Sequence, residues 1–187
     1  MARKVRVSKE VRVCQGDIFS NVEMIEYAVE DSGIFEVSKI VFPLVIVLTQ
    51  DCDLKQEYKV RWSRNPSIKH DKWLFSVLVA PLYNLDHVFK GEHLSSLNME
   101  MWVIDSKTTK KHIRNNEIPR YHFITVSETD SNLIPDSVID FKHYFSVNGN
   151  YLRSLRKEHF VCRLAPLFRE DVSQRFSQYL ARIGLPD

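Results

Sequence analysis

The stretch Phe42-Pro43-Leu44-Val45-Ile46-Val47-Leu48-Thr49-Gln50-Asp51-Cys52-Asp53-Leu54 decides the fold, because an apolar segment runs straight into a polar cluster. Val41, Phe42 and Leu44 to Leu48 are too few to span a bilayer and too β-branched to favour a helix, which predicts a strand buried on both faces. Thr49, Gln50, Asp51, Cys52 and Asp53 stand where such a strand must leave the core. Burying them unpartnered costs about 1–3 kcal/mol each, more for the carboxylates, so they are expected at the strand's mouth, paired or hydrated. A rigid strand that delivers polar groups to a rim is a common way to build a site, and the same residues also suit a tight structural turn.

Around that stretch, 187 residues suffice for one well-buried core plus a sizeable insertion, so a single domain is expected. A hydrophobic content of 44% with 11% aromatics argues for a folded globule, and a net charge of +2 neither requires nor excludes nucleic acid. Cys14, Cys52 and Cys162 lie far apart with no CxxC pair, so neither a disulfide framework nor a zinc knuckle is legible and a reducing cytoplasm is expected. No apolar run has the length of a signal sequence or a membrane span, which predicts no membrane association.

Upstream, apolar and polar residues alternate from Val5 to Val13, the period of a half-buried strand, before Gln15-Gly16-Asp17-Ile18 turns the chain. Asn21 to Glu36 alternates around Met24 to Val29 and contains Asp31-Ser32-Gly33, which predicts a strand or hairpin. Downstream, Lys55 to Lys72 around Asn65-Pro66-Ser67 lacks periodicity and reads as irregular, while Trp73 to Leu82 reads as a second buried strand beside the first. Leu85, Val88, Phe89, Leu94, Leu97 and Met101 fall at helical spacing on either side of Gly91, predicting one or two short helices. Asp105 to His122 is the most basic stretch and reads as a cationic loop, with Pro119 ending any helix before a strand Tyr121 to Val126. Short strands are expected at 137–141, 145–147 and 160–164, with Asn148-Gly149-Asn150 as a turn. Pro166, apolar steps of three and four from Phe168 to Ile183, and Gly184 with Pro186 predict a terminal amphipathic helix over about 166–183.

The order of these features resembles the PemK/MazF toxin superfamily, an SH3-like barrel. Gln15-Gly16-Asp17-Ile18 is similar to that family's opening Gly-Asp-Ile strand, Phe42-Pro43 to Leu48 to its Arg-Pro-aliphatic strand, and Leu133 to Arg156 with the following helix to its closing elements. The resemblance implies a mainly β, SH3-like barrel over 1–187 with an insertion at about 84–120, single-stranded RNA as ligand, and a homodimer, within a toxin–antitoxin or phage-defence module. Phe42 stands where RNA-cutting members carry arginine, and Pro81-Leu82 where they carry threonine or serine, so no catalytic residue carries over. Thr49 to Leu54 with Pro119-Arg120-Tyr121 also resembles an uncharacterised bacterial group with a Gln-x-Cys-Asp signature.

Three chemical readings of the cluster stand side by side. Cys52 could act as a nucleophile activated by a histidine such as His112 or His122 or by the cations of the basic loop, although Asp51 and Asp53 oppose its ionisation. The carboxylates could instead form a salt-bridged lock with Arg114 or Arg120. Thirdly, Lys107, Lys110, Lys111, Arg114 and Arg120, flanked by Trp102 and Tyr121, could track phosphates and stack bases. No spacing among the seven histidines selects a metal ligand, so neither metal nor cofactor is expected. The leading expectation is a protein that binds or cleaves single-stranded RNA, with Thr49, Gln50, Asp51, Cys52 and Asp53 catalytic and Lys110, Lys111, Arg114, Arg120 and Tyr121 holding RNA. The alternative is a non-catalytic barrel that binds a protein partner such as an antitoxin, with Asp51-Cys52-Asp53 structural.

Overall fold

The computed structural model describes residues 4–7, 10–62, 69–126 and 131–182. Asn65-Pro66-Ser67, Ile183, Gly184 and Pro186 lie outside the described residues. Eight strands among the described residues form one curled antiparallel sheet, half of a barrel: β1 (Val5–Arg6), β2 (Asp17–Asp31), β3 (Ile34–Val47), β4 (Val77–Asn84), β5 (Tyr121–Ile124), β6 (Ser137–Asp140), β7 (Phe145–Val147) and β8 (Phe160–Leu164). Their order across the sheet is β1-β8-β2-β3-β4-β6-β5, with β7 also on β4. Five α-helices among the described residues flank it: α1 (Asp51–Arg61), α2 (Leu85–Lys90), α3 (Lys107–Arg114), α4 (Gly149–His159) and α5 (Pro166–Leu180).

The apolar run in β3 is unbroken because its two faces serve two different cores. Val45 and Val47 pack with Phe19, Val77, Val79, Leu54, Val88, Phe89, Ile113 and Leu152 beneath α1 to α4, while Ile46 and Leu48 pack with Ile18, Ala80, Leu82, Phe141, Val172, Phe176 and Tyr179 beneath α5. Strands β3 and β4 are neighbours, with Val45 opposite Pro81 and Val47 opposite Val79. Pro81 lacks an amide donor, and it sits where β4 changes partner from β7 (Val77 to Val79) to β6 (Leu82 to Asn84). Burying each large side chain here contributes about 1.5–3 kcal/mol before chain ordering is charged against it.

At the start of β2 the chain turns at Gly16, whose φ of +77° suits glycine, and the Gly16 amide donates to Val47 O. The adjacent Asp17 is fully buried and lies against the Arg163 and Arg156 guanidiniums, so β2, β8 and α4 are tied by one buried ionic knot. Strands β2 and β3 form a long hairpin through Ser32-Gly33, and its outer half extends past both cores with Ile34, Phe35 and Val37 exposed.

Several expectations need correction. Among the described residues, strand structure near the N-terminus is confined to Val5–Arg6, and Val11 is exposed. The segment expected to be irregular from Lys55 is helical to Arg61. Its apolar stripe is too thin to read, since only Leu54 and Glu57 are buried, and the helix is favoured at its ends by Asp51 and Asp53 in the first turn and Lys59 and Arg61 in the last. The second buried strand begins at Val77 rather than Trp73, with Phe75 96% exposed. The cationic loop contains α3, started by Ser106 Oγ accepting from the Thr109 amide and anchored by the single buried Ile113. The turn at Asn148-Gly149-Asn150 is a helix start: Asn148 Oδ1 accepts from the Asn150 amide and α4 follows where closing strands were expected.

Candidate functional site

The polar cluster after β3 lies at a rim, and most of it is engaged in holding the fold. Thr49 Oγ1 accepts from the Leu78 amide at 2.7 Å, and Gln50 Nε2 donates to Ser173 Oγ at 3.0 Å. Asp51 takes a two-pronged contact from Arg12, with Nη1 at 3.0 Å and Nη2 at 2.9 Å, and accepts from the Gln15 amide at 3.3 Å. Arg169 adds an ion pair at 3.8 Å. Burial would raise the Asp51 carboxyl, but the Arg12 fork together with Arg169 and the Gln15 amide outweighs it and holds the pKa below the usual carboxylate value. Cys52 and Asp53 are exposed, with the thiol 3.6 Å from Asp53 Oδ1.

Neither histidine expected to activate Cys52 is beside it. His112 pairs with Glu117, and His122 is buried in β5, 4.0 Å from Asp171, with its pKa lowered to about 3 by burial and by the Arg175 and Lys4 charges. The carboxylate lock exists with different partners: Asp51 is held by Arg12 and Arg169, while Arg120 grips Asp140 through Nε at 2.8 and 3.0 Å. No metal-binding group of three or more His, Cys, Asp or Glu occurs among the described residues.

Helix α5 explains why the acidic cluster and the basic segment do not meet. Arg169 and Ser173 contact Asp51 and Gln50, whereas Asp171 approaches His122 and Arg175 donates to the Ile118 and Tyr121 carbonyls at 3.0 Å. Positions two apart on a helix point about 200° apart, so the two groups flank opposite sides of a rod about 10 Å wide. Among the described residues no hydrogen bond or ion pair joins residues 49–53 to Arg114 or Arg120.

The basic residues converge elsewhere. Lys107, Lys110, Lys111 and Arg114 are spaced i, i+3, i+4 and i+7 and share one face of α3. Lys110 and Arg114 lie over the Phe89 ring of α2 at 5.4 and 4.9 Å. Gly91, with φ of +73°, ends α2 so closely against Met101 that a methyl group there would meet the Met101 carbonyl, and this approach brings the 101–104 segment beside α2. Trp102 in that segment is 89% exposed. The surface thus combines cations with a bare indole, the two ingredients that hold phosphates and bases.

Beyond Arg120 lies a cluster that the sequence pattern did not reveal. Tyr83 at the end of β4 contacts His143 Nδ1 through its hydroxyl at 3.0 Å, and its ring stands 4.7 Å from that of His93. The two histidine rings are 6.5 Å apart, and His143 Nδ1 is 3.7 Å from the buried Asp140 carboxylate that Arg120 grips. Burial lowers the pKa of both imidazoles. At His93 the His143 and Arg120 charges add to burial against the opposing pull of Asp140 and of the His87 backbone, and at His143 the attraction of Asp140 only partly offsets burial, Arg120 and Lys142. Burial and the Asp140 charge raise the Tyr83 phenol above its ordinary value. His93 borders a cleft of about 250 Å³ lined also by Val41, Pro43, Tyr83, Asn84 and His87. These residues come from four separated segments, so no local motif could have announced them.

No protein-family model matches this chain, and no curated protein matches it.

Proposed function

We propose that the protein is a toxin-like half-barrel of the SH3/MazF kind that binds single-stranded RNA, with α3, Trp102, Arg120 and Tyr121 as the binding face. The observation that carries this reading is the single cationic face of α3, which lies over Phe89 of α2, together with the exposed Trp102 in the segment that runs along α2. An aromatic plane with several flexible cations suits a strand whose bases are unstacked and whose phosphates repeat along its length. Arg120 adds a guanidinium over Tyr121 at 5.0 Å, extending the same chemistry toward the histidine cluster.

The test is a salt titration of a fluorescent single-stranded oligoribonucleotide. Each of Lys107→Ala, Lys111→Ala and Arg114→Ala lowers the slope of log affinity against log salt by about 0.7 if it removes a phosphate contact. Trp102→Ala weakens binding with the slope unchanged, since stacking is insensitive to salt. An affinity that does not depend on salt, or that none of these substitutions changes, contradicts the reading.

A second reading is favoured by the outer half of the β2–β3 hairpin. It exposes Ile25, Tyr27, Val29, Ile34, Phe35 and Val37, and between Glu23 and Lys39 it carries five carboxylates against one lysine. Its charge complements the basic α3 face, so the hairpin suits a second copy of this chain. RNA and the second copy then compete for α3.

A further inference from the structure

Helix α5 is held on the sheet by polar contacts on both of its flanks, and one flank closes over a histidine that the RNA-binding face does not use. His122 of β5 is 4% exposed, and its ring nitrogen Nδ1 is buried without a hydrogen-bond partner. Its side chain shares the α5 face of the sheet with Ile124 and with Ile139 of β6, and its ring stands 6.3 Å from that of Phe141. Such a place suits the neutral imidazole, because in the charged ring an N–H at Nδ1 is buried with nothing to accept it.

The charges facing the ring come from two directions. Helix α5 contributes the Arg175 guanidinium, which also donates to the Ile118 and Tyr121 carbonyls at 3.0 Å, and the half-exposed Asp171 carboxylate, 4.0 Å from Nε2. The segment before β1 contributes Lys4, whose ammonium lies over the Phe168 ring of α5 at 5.3 Å. Strand β6 adds no charge on this face, since Ile139 pairs with His122 and Asp140 points to the other face, where Arg120 grips it. Asp171 is shared with Lys4 and Arg175, and Asp136 also faces Lys4. Two fixed cations and one shared carboxylate therefore meet the ring, and burial, then Arg175 and Lys4, push its pKa down to about 3.

We propose that His122 is the trigger of an acid-released clasp, in which protonation of its imidazole frees α5 from the sheet and uncovers the apolar floor formed by Ile134, Ile139 and Phe141. In the open form His122 takes up a proton near its ordinary value of 6.5, whereas in the closed form it does so only near pH 3, so acid draws the chain toward the open form throughout that interval. The ratio of open to closed chains rises by about tenfold for each unit of pH below the upper value. On the other flank Asp51 keeps its charge over most of this range, because Arg12, Arg169 and the Gln15 amide hold its pKa below the usual carboxylate value. That flank adds no acid response of its own above about pH 4.5.

The test is hydrogen exchange of the full chain at pH 7, 5.5 and 4.5, read by mass spectrometry with exchange times scaled to the intrinsic amide rates. Protection of the α5 amides should fall by about 10-fold at pH 5.5 and on the order of 100-fold at pH 4.5, while amides in the paired part of β2 and β3 keep theirs. His122→Leu, which cannot take a charge, should hold α5 protection level across the three conditions, and a thermal melt at pH 7 shows whether it folds. In the parent chain, the assigned His122 imidazole resonance should show the neutral ring for as long as α5 is protected. Equal α5 protection at all three pH values overturns the inference, as does a loss shared equally by β2 and β3. So does a loss that persists in folded His122→Leu, which would assign it to His93 or His143. Titration of the His122 ring near its ordinary value while α5 stays protected overturns it without any variant.

Discussion

Asp17 shows how much a single residue can carry in this molecule. It is fully buried against Arg163, itself almost inaccessible, and Arg156, and its Oδ2 also accepts from the Cys14 amide at 2.8 Å. Removing one partner leaves the other charge buried and unpaired, so Asp17→Ala should cost about 3–5 kcal/mol, read from urea melts, and Asp17→Leu should not recover it. The half-exposed Asp51 behaves differently. Its pKa is lowered on folding, so its contribution is fully present above about pH 4, the unfolded value, and is lost as pH falls through the folded one. Arg12→Ala should therefore destabilise by about 1 kcal/mol at pH 7, solvent screening the remainder, and by progressively less in melts taken at more acid pH. Equal destabilisation at both ends of that range would show that Arg12 acts through packing alone.

Among the elements, the ones read correctly were those whose pattern is set by burial. The β3 and β4 runs, the β2–β3 hairpin, the short helix ending at Gly91 and the helix beginning at Pro166 all announce themselves through apolar spacing or turn chemistry. Helices α1, α3 and α4 were not legible, because α1 buries Leu54 and Glu57, α3 buries Ile113 and α4 buries Leu152, too few for a stripe. What holds them is contact across the chain, such as Arg12 on Asp51 or the Tyr151 hydroxyl accepting from the Glu23 amide at 2.8 Å. The α2–α3 unit offers its own prediction. Gly91→Ala adds a methyl against the Met101 carbonyl at a positive φ, so it should lower thermal stability and loosen the Trp102 segment. RNA affinity should then fall with the salt slope nearly kept. An unchanged melting temperature would show that the turn tolerates the side chain.

For the whole molecule, the sheet's curl does the organising. It leaves the acidic cluster and the basic segment on opposite flanks of α5, and it gathers Tyr83, His93, Arg120, Asp140 and His143 at the edge where β4, β6 and β5 meet. The candidate site was half legible: Arg120 and Tyr121 could be picked out by charge and aromatic character, whereas the histidines depend on long-range pairing that no spacing encodes. Exposed Phe35 (71%) and Ile34 (72%) at the hairpin tip give the quaternary prediction. If the chain pairs through that hairpin, sedimentation should show a dimer that Phe35→Ser dissociates and single-stranded RNA displaces. A monomer at every concentration would assign the tip no self-association.

The most direct measurement of the central claim is photo-crosslinking of the full chain to a 4-thiouridine-substituted single-stranded RNA, with adducts located by mass spectrometry. The account predicts adducts on Trp102, Tyr121 and the peptide carrying Lys107 to Arg114. Adducts confined to the Thr49 to Asp53 rim or to the outer hairpin would contradict it.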